Sequence, residues 1–192
     1  MIDFRPATSR LADLVAGVRD DQLTGATPCT ESTVGDLVDH VNGFAQAFAL
    51  AAAKGASVEH SQPVAPSAGN LGGDWRDRVP RLVVALGDAW ALPHAWEGTS
   101  VAGGQELPAV EAGVIALDEV IVHGWDIAVS SGQPFDCDVA LVEAALGFVT
   151  PTVGRSPKGT PGLFGPPVPV AVDAPLLDRL IGLTGRDPSW RP

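Results

Sequence analysis

The sequence predicts an all-α fold: a four-helix bundle with a Pro/Gly-rich C-terminal wrap and a short terminal helix. Apolar residues recur at helical spacing in four stretches, and the stretch 112–129 is apolar on nearly every side. The segment 151–175 contains seven prolines and four glycines, which exclude regular helix or central strand there. The chain has 192 residues and no internal repeat, so residues 1–192 are expected to form a single domain.

Local signals mark the ends of the predicted helices. In the first helix, Leu11 and Leu14 lie on one face. The second helix starts after Ser32 and Thr33, either of which can cap it, and a glycine follows its last turn. Segments without a clear period separate the helices, and 94–104 is predicted as a loop or short hairpin. The predicted helices cover 7–19, 34–54, 74–90, 108–131, 138–149 and 176–184.

The fourth predicted helix carries four strongly polar residues within its apolar stretch. A buried charge costs several kcal/mol unless it is paired, binds a ligand or reaches water, so these residues need a reason to be there. Glu119 and His123 lie one turn apart and about 40° apart around the helix, and Asp126 falls on the same stripe. Asp118 points away from this stripe and is expected in solvent.

The second predicted helix offers a partner for this stripe. His40 shares a face with Phe44 and is expected to point toward the core, with Asp36 one turn earlier as a possible acceptor for its ring N–H. Two histidines and a carboxylate on facing helices form a plausible three-ligand metal site, made of His40, Glu119 and His123.

Spacing alone allows a different interpretation. His40 could be a hydrogen-bonded core residue, because a lone histidine on an apolar helix face is more often that than a ligand. Glu119, His123 and Asp126 could form the hydrated edge of the fourth helix, since E-x3-H spacing is frequent by chance.

Composition narrows the classes of partner. The formal net charge of -11 makes nucleic acid and anionic membrane surfaces poor partners. No apolar run approaches the ~20 residues of a membrane span and no targeting segment is evident, so a cytoplasmic location is expected. A small molecule or a thiol is the expected partner. The sequence leaves the oligomeric state open, with a homodimer allowed.

The cysteines and tryptophans give weaker signals. Cys29 and Cys137 are far apart and predict neither a disulfide nor a thiolate zinc site. We expect Cys29 to be a partly buried apolar residue without a nearby cation to lower its pKa. Trp96 and Trp190 lie near irregular segments and are the tryptophans expected to line a pocket.

Two segments resemble the metal-binding helices of a known family. They are 36–41 (DLVDHV) and 117–128 (LDEVIVHGWDIA), and the H-x-W-D-x-A portion is the most specific part. The family is the actinobacterial, DinB-like branch that includes the N-terminal domain of mycothiol-dependent maleylpyruvate isomerase. The tail from 164 to 190 resembles the ending of short single-domain members, so the resemblance spans nearly the whole chain.

The resemblance implies a ligand set and a type of chemistry. The family's ligands fall on His40, Glu119 and His123, and Asp126 matches a structural or hydrogen-bonding aspartate. Zinc is the first choice of metal, with Ni²⁺, Fe²⁺ and Mn²⁺ also compatible with these ligands. Mycothiol, or a similar low-molecular-weight thiol, is the implied co-substrate. The chain departs from the family at 30–33, where members often carry a tryptophan. We expect no counterpart of the isomerase's C-terminal domain, so the resemblance does not imply that enzyme's specific reaction.

Three functions fit this site at the level of sequence. The first is a metal- and thiol-dependent transferase or isomerase acting on a small electrophile, with no separate general base assigned. The second is a non-catalytic metal-binding or stress-response protein with a structural metal, whose coordination would be closed by a fourth protein ligand. The third, an Fe(II) oxygenase, ranks low because that chemistry usually occurs on another fold.

Overall fold

The computed structural model describes residues 1–62, 64–156, 158–160 and 162–192, and most of its regular structure is helical. A two-stranded antiparallel hairpin consists of β1 (Thr99–Ala102) and β2 (Gln105–Pro108). Strand β1 lies within the predicted loop or short hairpin 94–104, and β2 extends beyond it to the start of the fourth helix. The all-α prediction is confirmed. The helices are α1 (Arg5–Ala16), α2 (Val34–Ala52), α3 (Trp75–Trp90), α4 (Ala109–Ser131), α5 (Val139–Arg155) and α6 (Leu176–Leu183).

Helices α1 to α4 form the predicted four-helix bundle. Helix α1 packs against α3 and α4, and α2 packs against the same two helices, so the four close around one core. Leu11, Val38, Val83 and Leu117, one from each helix, are fully buried there. Burying a side chain of this kind contributes roughly 1.5–3 kcal/mol. Helix α5 packs against α4 from outside the ring, and α6 packs against α5.

A capping box fixes the start of α2. The Thr33 hydroxyl accepts a hydrogen bond from the backbone N–H of Asp36 at 3.2 Å, and the Asp36 carboxylate accepts from the Thr33 N–H at 2.9 Å. The other Asp36 oxygen accepts from the backbone N–H of Ala68 at 2.8 Å. The expectation that Asp36 binds the His40 ring is therefore wrong, because both of its oxygens serve the helix terminus and the following loop.

Two tryptophans pack tightly against α4. Trp96 is buried and donates its indole N–H to the Trp90 carbonyl at 2.7 Å, while Trp90 donates to the Phe48 carbonyl at 3.0 Å. A Cβ at Gly113 would lie within 3 Å of both rings, so glycine is what allows α4 to approach them. Trp96 is thus a core residue, and the expectation that it lines a pocket is wrong.

The predicted end of α5 is also wrong. The helix continues through Pro151 to Arg155, although the sequence predicted extended chain from 151 onward. Pro151 and Gly147 lie on the exposed face, where water can satisfy the carbonyl that proline leaves unpaired. The buried side chains of Thr152 and Val153 keep the last turn packed against the protein.

Beyond α5, the described residues up to 175 form no helix and run beside α6. The Val168 N–H donates to the Gly182 carbonyl at 2.9 Å, and a side chain at Gly182 would collide with Val170. This agrees with the predicted wrap; Pro157 and Pro161 lie outside the described residues. No helix in the described part of the chain is long and apolar enough to cross a membrane.

Candidate metal centre

Three polar side chains from α2 and α4 converge at one point. Glu119 Oε2 lies 3.1 Å from His40 Nε2 and 3.2 Å from His123 Nε2. The two imidazole centroids are 4.6 Å apart, with the ring planes at 81°. Glu119 and His123 lie one turn apart on α4, and His40 faces them from α2. The structure therefore brings together the three residues that the sequence predicts as metal ligands.

The cluster is partly exposed to solvent, and His40 is its most exposed member. The His40 side chain is 37% exposed, against 19% for Glu119 and 12% for His123. The Phe44 ring forms an apolar wall, with its centroid 5.6 Å from that of His40 and 6.1 Å from that of His123. Access to the three ligand atoms is therefore expected from the His40 side.

The pKa values of Glu119 and His123 are both strongly shifted. Burial raises the pKa of Glu119, but hydrogen bonds and charges from His123 and His40 outweigh it and hold this pKa well below its usual range. Burial lowers the pKa of His123, whereas hydrogen bonds to Asp126 and Glu119 raise it, to about 9. The protonated imidazole thus supplies positive charge at the position where a metal ion would supply it.

A buried ion pair lies behind His123. Asp126 Oδ2 is 3.0 Å from His123 Nδ1, and the same oxygen accepts a hydrogen bond from Arg186 Nη2 at 3.0 Å. Arg186 Nε donates to the other Asp126 oxygen at 3.3 Å, and Nη1 donates to the Thr184 carbonyl at 2.8 Å. Asp126 therefore has the hydrogen-bonding role that the resemblance implies.

The family model described as "Mycothiol maleylpyruvate isomerase N-terminal domain" matches residues 4–128. The chain belongs to this family. Two uncharacterized proteins of Mycobacterium tuberculosis, from strains CDC 1551 / Oshkosh and H37Rv, are each 31% identical to the chain over 189 residues. The alignment covers 94% of this chain and 93% of each relative. No solved structure gives a significant match.

The isomerase-domain match contains only part of this network. It includes His40, Glu119, His123 and Asp126, whereas Arg186 lies beyond it. Nothing in the local sequence marks Arg186 as a functional residue, because its carboxylate partner lies 60 residues away. The available signal was Asp126 itself, since a carboxylate in so apolar a helix requires a cation.

A second group of metal-competent side chains shares His123. It consists of Cys29, His123 and Asp126, whose candidate ligand atoms lie within 4.8 Å of one another. The Arg186 guanidinium already fills this side, with two hydrogen bonds to Asp126 and one to Cys29 Sγ at 3.1 Å. The guanidinium therefore takes the place that a metal ion would need between these three residues. The Nε2 side of His123 is left for a metal ion.

The surroundings of Cys29 differ from those expected, because a positively charged group lies next to its thiol. Contrary to the expectation from sequence, Cys29 has a nearby cation, Arg186, and no local pattern indicates this contact because it spans 157 residues. Burial, and after it the negative charge of Asp126, nevertheless raise the pKa of Cys29 to about 11, and Arg186 only partly opposes them. Cys29 is accordingly a neutral thiol at pH 7 and a poor nucleophile.

Asp118 is buried, so the expectation that it lies in solvent is wrong. Helix α4 is packed against α1, α2 and α5, and this leaves little of its circumference exposed. Within the described residues, Asp118 Oδ1 has no hydrogen-bond partner. Burial, followed by the charge of Glu119, raises the pKa of Asp118 to about 8. The carboxyl is therefore mostly protonated at neutral pH.

Trp190 lines a cavity of about 500 Å³ beside the loop that carries Cys29. The other lining residues come from 24–33 and are largely small or hydroxyl-bearing. They include Thr30, Glu31, Ser32 and Thr33, the positions where the chain departs from the tryptophan common in the family. The departure thus falls on a cavity wall.

Proposed function

We propose that His40, Glu119 and His123 bind one divalent metal ion, and that the protein uses it to activate a low-molecular-weight thiol. The thiol would be transferred to, or would promote isomerisation of, a small electrophile. One observation carries the proposal: three ligand atoms of the appropriate types converge, and one of the three side chains, His40, is partly exposed to solvent. Membership of a mycothiol-related family supports the choice of thiol.

The distances between the donors suit a metal ion. Ligand atoms that bind zinc tetrahedrally at ~2.0–2.1 Å lie about 3.3 Å from one another. The Glu119 oxygen is 3.1 Å and 3.2 Å from the two imidazole nitrogens. Two nitrogens and one carboxylate oxygen are compatible with Zn²⁺, our first choice, and with Ni²⁺, Fe²⁺ or Mn²⁺.

The protein's own residues would hold the ion and control access to it. A bound divalent ion favours the thiolate form of a thiol, which is the nucleophilic form. His40 and His123 would hold that ion from two helices, and Glu119 would neutralise one of its two charges. Phe44 limits water on the inner side of the imidazoles, so a small co-substrate would enter past His40.

A structural metal is the second candidate, because the ligands join α2 to α4 and an ion would cross-link the bundle. The two candidates differ in coordination, since catalytic sites leave a position for water or substrate. Among the described residues, the metal-competent group contains three members, His40, Glu119 and His123. This incomplete protein coordination favours the catalytic proposal.

The first experiment measures bound metal by elemental analysis in the wild type, His40→Ala, Glu119→Gln and His123→Ala. His60→Ala is the matched control, because His60 is exposed on a separate loop. We expect about one equivalent of zinc in the wild type and the control, and a large loss in the other three variants. Absence of metal from the wild type after incubation with Zn²⁺ or Ni²⁺ would refute the proposal.

A second experiment separates the two candidates. Cobalt-substituted protein is titrated with mycothiol or N-acetylcysteine, and the sulfur-to-cobalt charge-transfer absorption is recorded. Its appearance in the wild type supports thiol activation. A cobalt site with no response to any thiol, in a protein that unfolds when the metal is removed, supports the structural role.

A further inference from the structure

Arg186 is buried next to the candidate metal centre, although it comes from the C-terminal segment after α6. Its side chain is 9% exposed and Asp126 is fully buried. All three guanidinium nitrogens of Arg186 donate hydrogen bonds: two to the Asp126 carboxylate, one to the Thr184 carbonyl, and Nη2 also to Cys29 Sγ. The guanidinium is thereby held by α4, by the loop before α2 and by its own segment.

The hydrogen bonds continue from Arg186 to a predicted ligand. Asp126 Oδ2 accepts a hydrogen bond from Arg186 Nη2, and the same oxygen lies 3.0 Å from His123 Nδ1. A histidine that donates its Nδ1–H to a fixed carboxylate keeps the lone pair of Nε2 for a metal ion. His123 Nε2 is the atom that faces Glu119 and His40.

We infer that Arg186 is a positioning residue of the metal centre. Its two hydrogen bonds hold the Asp126 carboxylate in the orientation that fixes the His123 ring and directs Nε2 toward the ion. This inference rests on the proposed metal site. It also means that the matched region 4–128 contains the ligands but not the whole centre, because the C-terminal segment supplies the group that orients one of them.

The chemistry of the pair favours arginine at this position. A buried carboxylate is tolerated only when its charge is paired and its oxygens are hydrogen-bonded. The planar fork of a guanidinium can contact both oxygens at once, as Nε and Nη2 of Arg186 do here, whereas an ammonium group cannot fix the carboxylate plane. Loss of the fork should therefore loosen the His123 ring even when the positive charge is kept.

The test compares Arg186→Gln, Arg186→Lys and the control Arg191→Gln, which removes an exposed arginine from the same segment. Zinc affinity is measured by competition with a chromogenic chelator, and folding by circular dichroism. We expect Arg186→Gln to weaken zinc binding about 10–100-fold, the range typical for loss of such an outer partner. The zinc affinity of Arg186→Lys should lie between those of Arg186→Gln and the wild type, and that of Arg191→Gln should equal the wild-type value.

Histidine nitrogen NMR supplies a readout that a purely structural role would not move. In the zinc-loaded wild type, His123 should show a protonated Nδ1 and a metal-bound Nε2. In Arg186→Lys, the Nδ1 proton should exchange faster with water. Because the wild-type spectrum requires no variant, it can still overturn the inference if Arg186→Gln fails to fold, and Arg186→Lys then tests the arginine itself.

Several outcomes would overturn the inference. A folded Arg186→Gln or Arg186→Lys variant with wild-type zinc affinity and an unchanged His123 spectrum would do so while leaving the proposed metal site intact. So would a wild-type spectrum in which Nδ1 of His123 binds the metal. If the wild type bound no zinc, the proposed function itself would fail, and this result is distinguishable from the other two.

Discussion

The ring of Phe44 stacks on the imidazole of His123, with centroids 6.1 Å apart and an angle of 27° between the planes. Phe44 also meets His40 edge-on, so one aromatic side chain contacts both histidines of the candidate centre. It is 6% exposed and belongs to the core of the bundle. This ring therefore links the packing of α2 to the geometry of the site.

Replacing this ring should affect both stability and metal binding. We expect Phe44→Leu to lower the free energy of unfolding by about 1 kcal/mol, since it keeps most of the apolar volume but loses the aromatic contacts. Phe48→Leu, one turn further along the same buried face, is the matched control. Urea unfolding should give similar losses, and zinc titration should show weaker binding for Phe44→Leu alone. Equal zinc affinities would contradict the role of the ring.

Zinc binding should depend on pH in a direction set by His123. Burial lowers its pKa, but Asp126 and Glu119 raise it to about 9, so the free imidazole is protonated at pH 7. An ion must displace that proton, and affinity should fall up to about tenfold for each unit that the pH drops below 9. Calorimetry at pH 7 in buffers of different ionisation enthalpy should detect about one released proton. An affinity that stays constant between pH 7 and 9 would contradict this prediction.

Asp118→Asn should stabilise the protein above pH 4. The folded-state pKa of Asp118 is raised to about 8, so the folded state retains a proton that the unfolded state releases near pH 4. Wild-type stability is therefore lost as pH rises from about 4 to 8, and asparagine avoids this loss. We expect a gain on the order of 1–3 kcal/mol at pH 8 and almost none at pH 3, measured by urea unfolding.

The control for this substitution is Glu111→Gln, which removes an exposed carboxylate from the same helix. Its unfolding free energy should follow that of the wild type at every pH. If Asp118→Asn were less stable than the wild type at pH 8, Asp118 would have to be ionised and paired in the folded protein.

Metal should stabilise the fold through the cross-link between α2 and α4. At a free zinc concentration of 100 times the Kd, ligand linkage gives about 2.7 kcal/mol. Thermal unfolding of the wild type and of His60→Ala should therefore shift upward with zinc and return to the starting value with a chelator. His40→Ala should show no such shift. A zinc-induced shift of full size in His40→Ala would place the ion elsewhere.

Helical periodicity explains why much of the site was predictable. Glu119 and His123 belong to one stripe of a long apolar helix, and His40 shares a buried face with Phe44, so local patterns were enough to suggest that they meet. The resemblance to the isomerase-domain family is confirmed by the match over 4–128. The role of His40, Glu119 and His123 as metal ligands stays a prediction.

The features of the fold and site that the sequence does not predict depend on tertiary contacts that no local pattern encodes. The burial of Asp118 follows from the packing of α1, α2 and α5 around α4, which a helical projection of one segment cannot show. The continuation of α5 through Pro151 depends on which face of that helix meets solvent. The contacts of Arg186 with Asp126 and Cys29 join segments separated by 60 and 157 residues, and the intervening wrap has no period that would predict its path.

These sequence separations have a consequence for the order of folding. Helices and their nearest pairings form early because they close short loops, whereas contacts between distant segments must wait until the chain entropy of longer loops has been overcome. The Arg186–Asp126 contact spans 60 residues and the His40–Glu119 contact spans 79, whereas the Arg186–Cys29 contact spans 157. The complete set of contacts at the Arg186 guanidinium should therefore form last. During refolding, native helical content should therefore be reached before native zinc affinity.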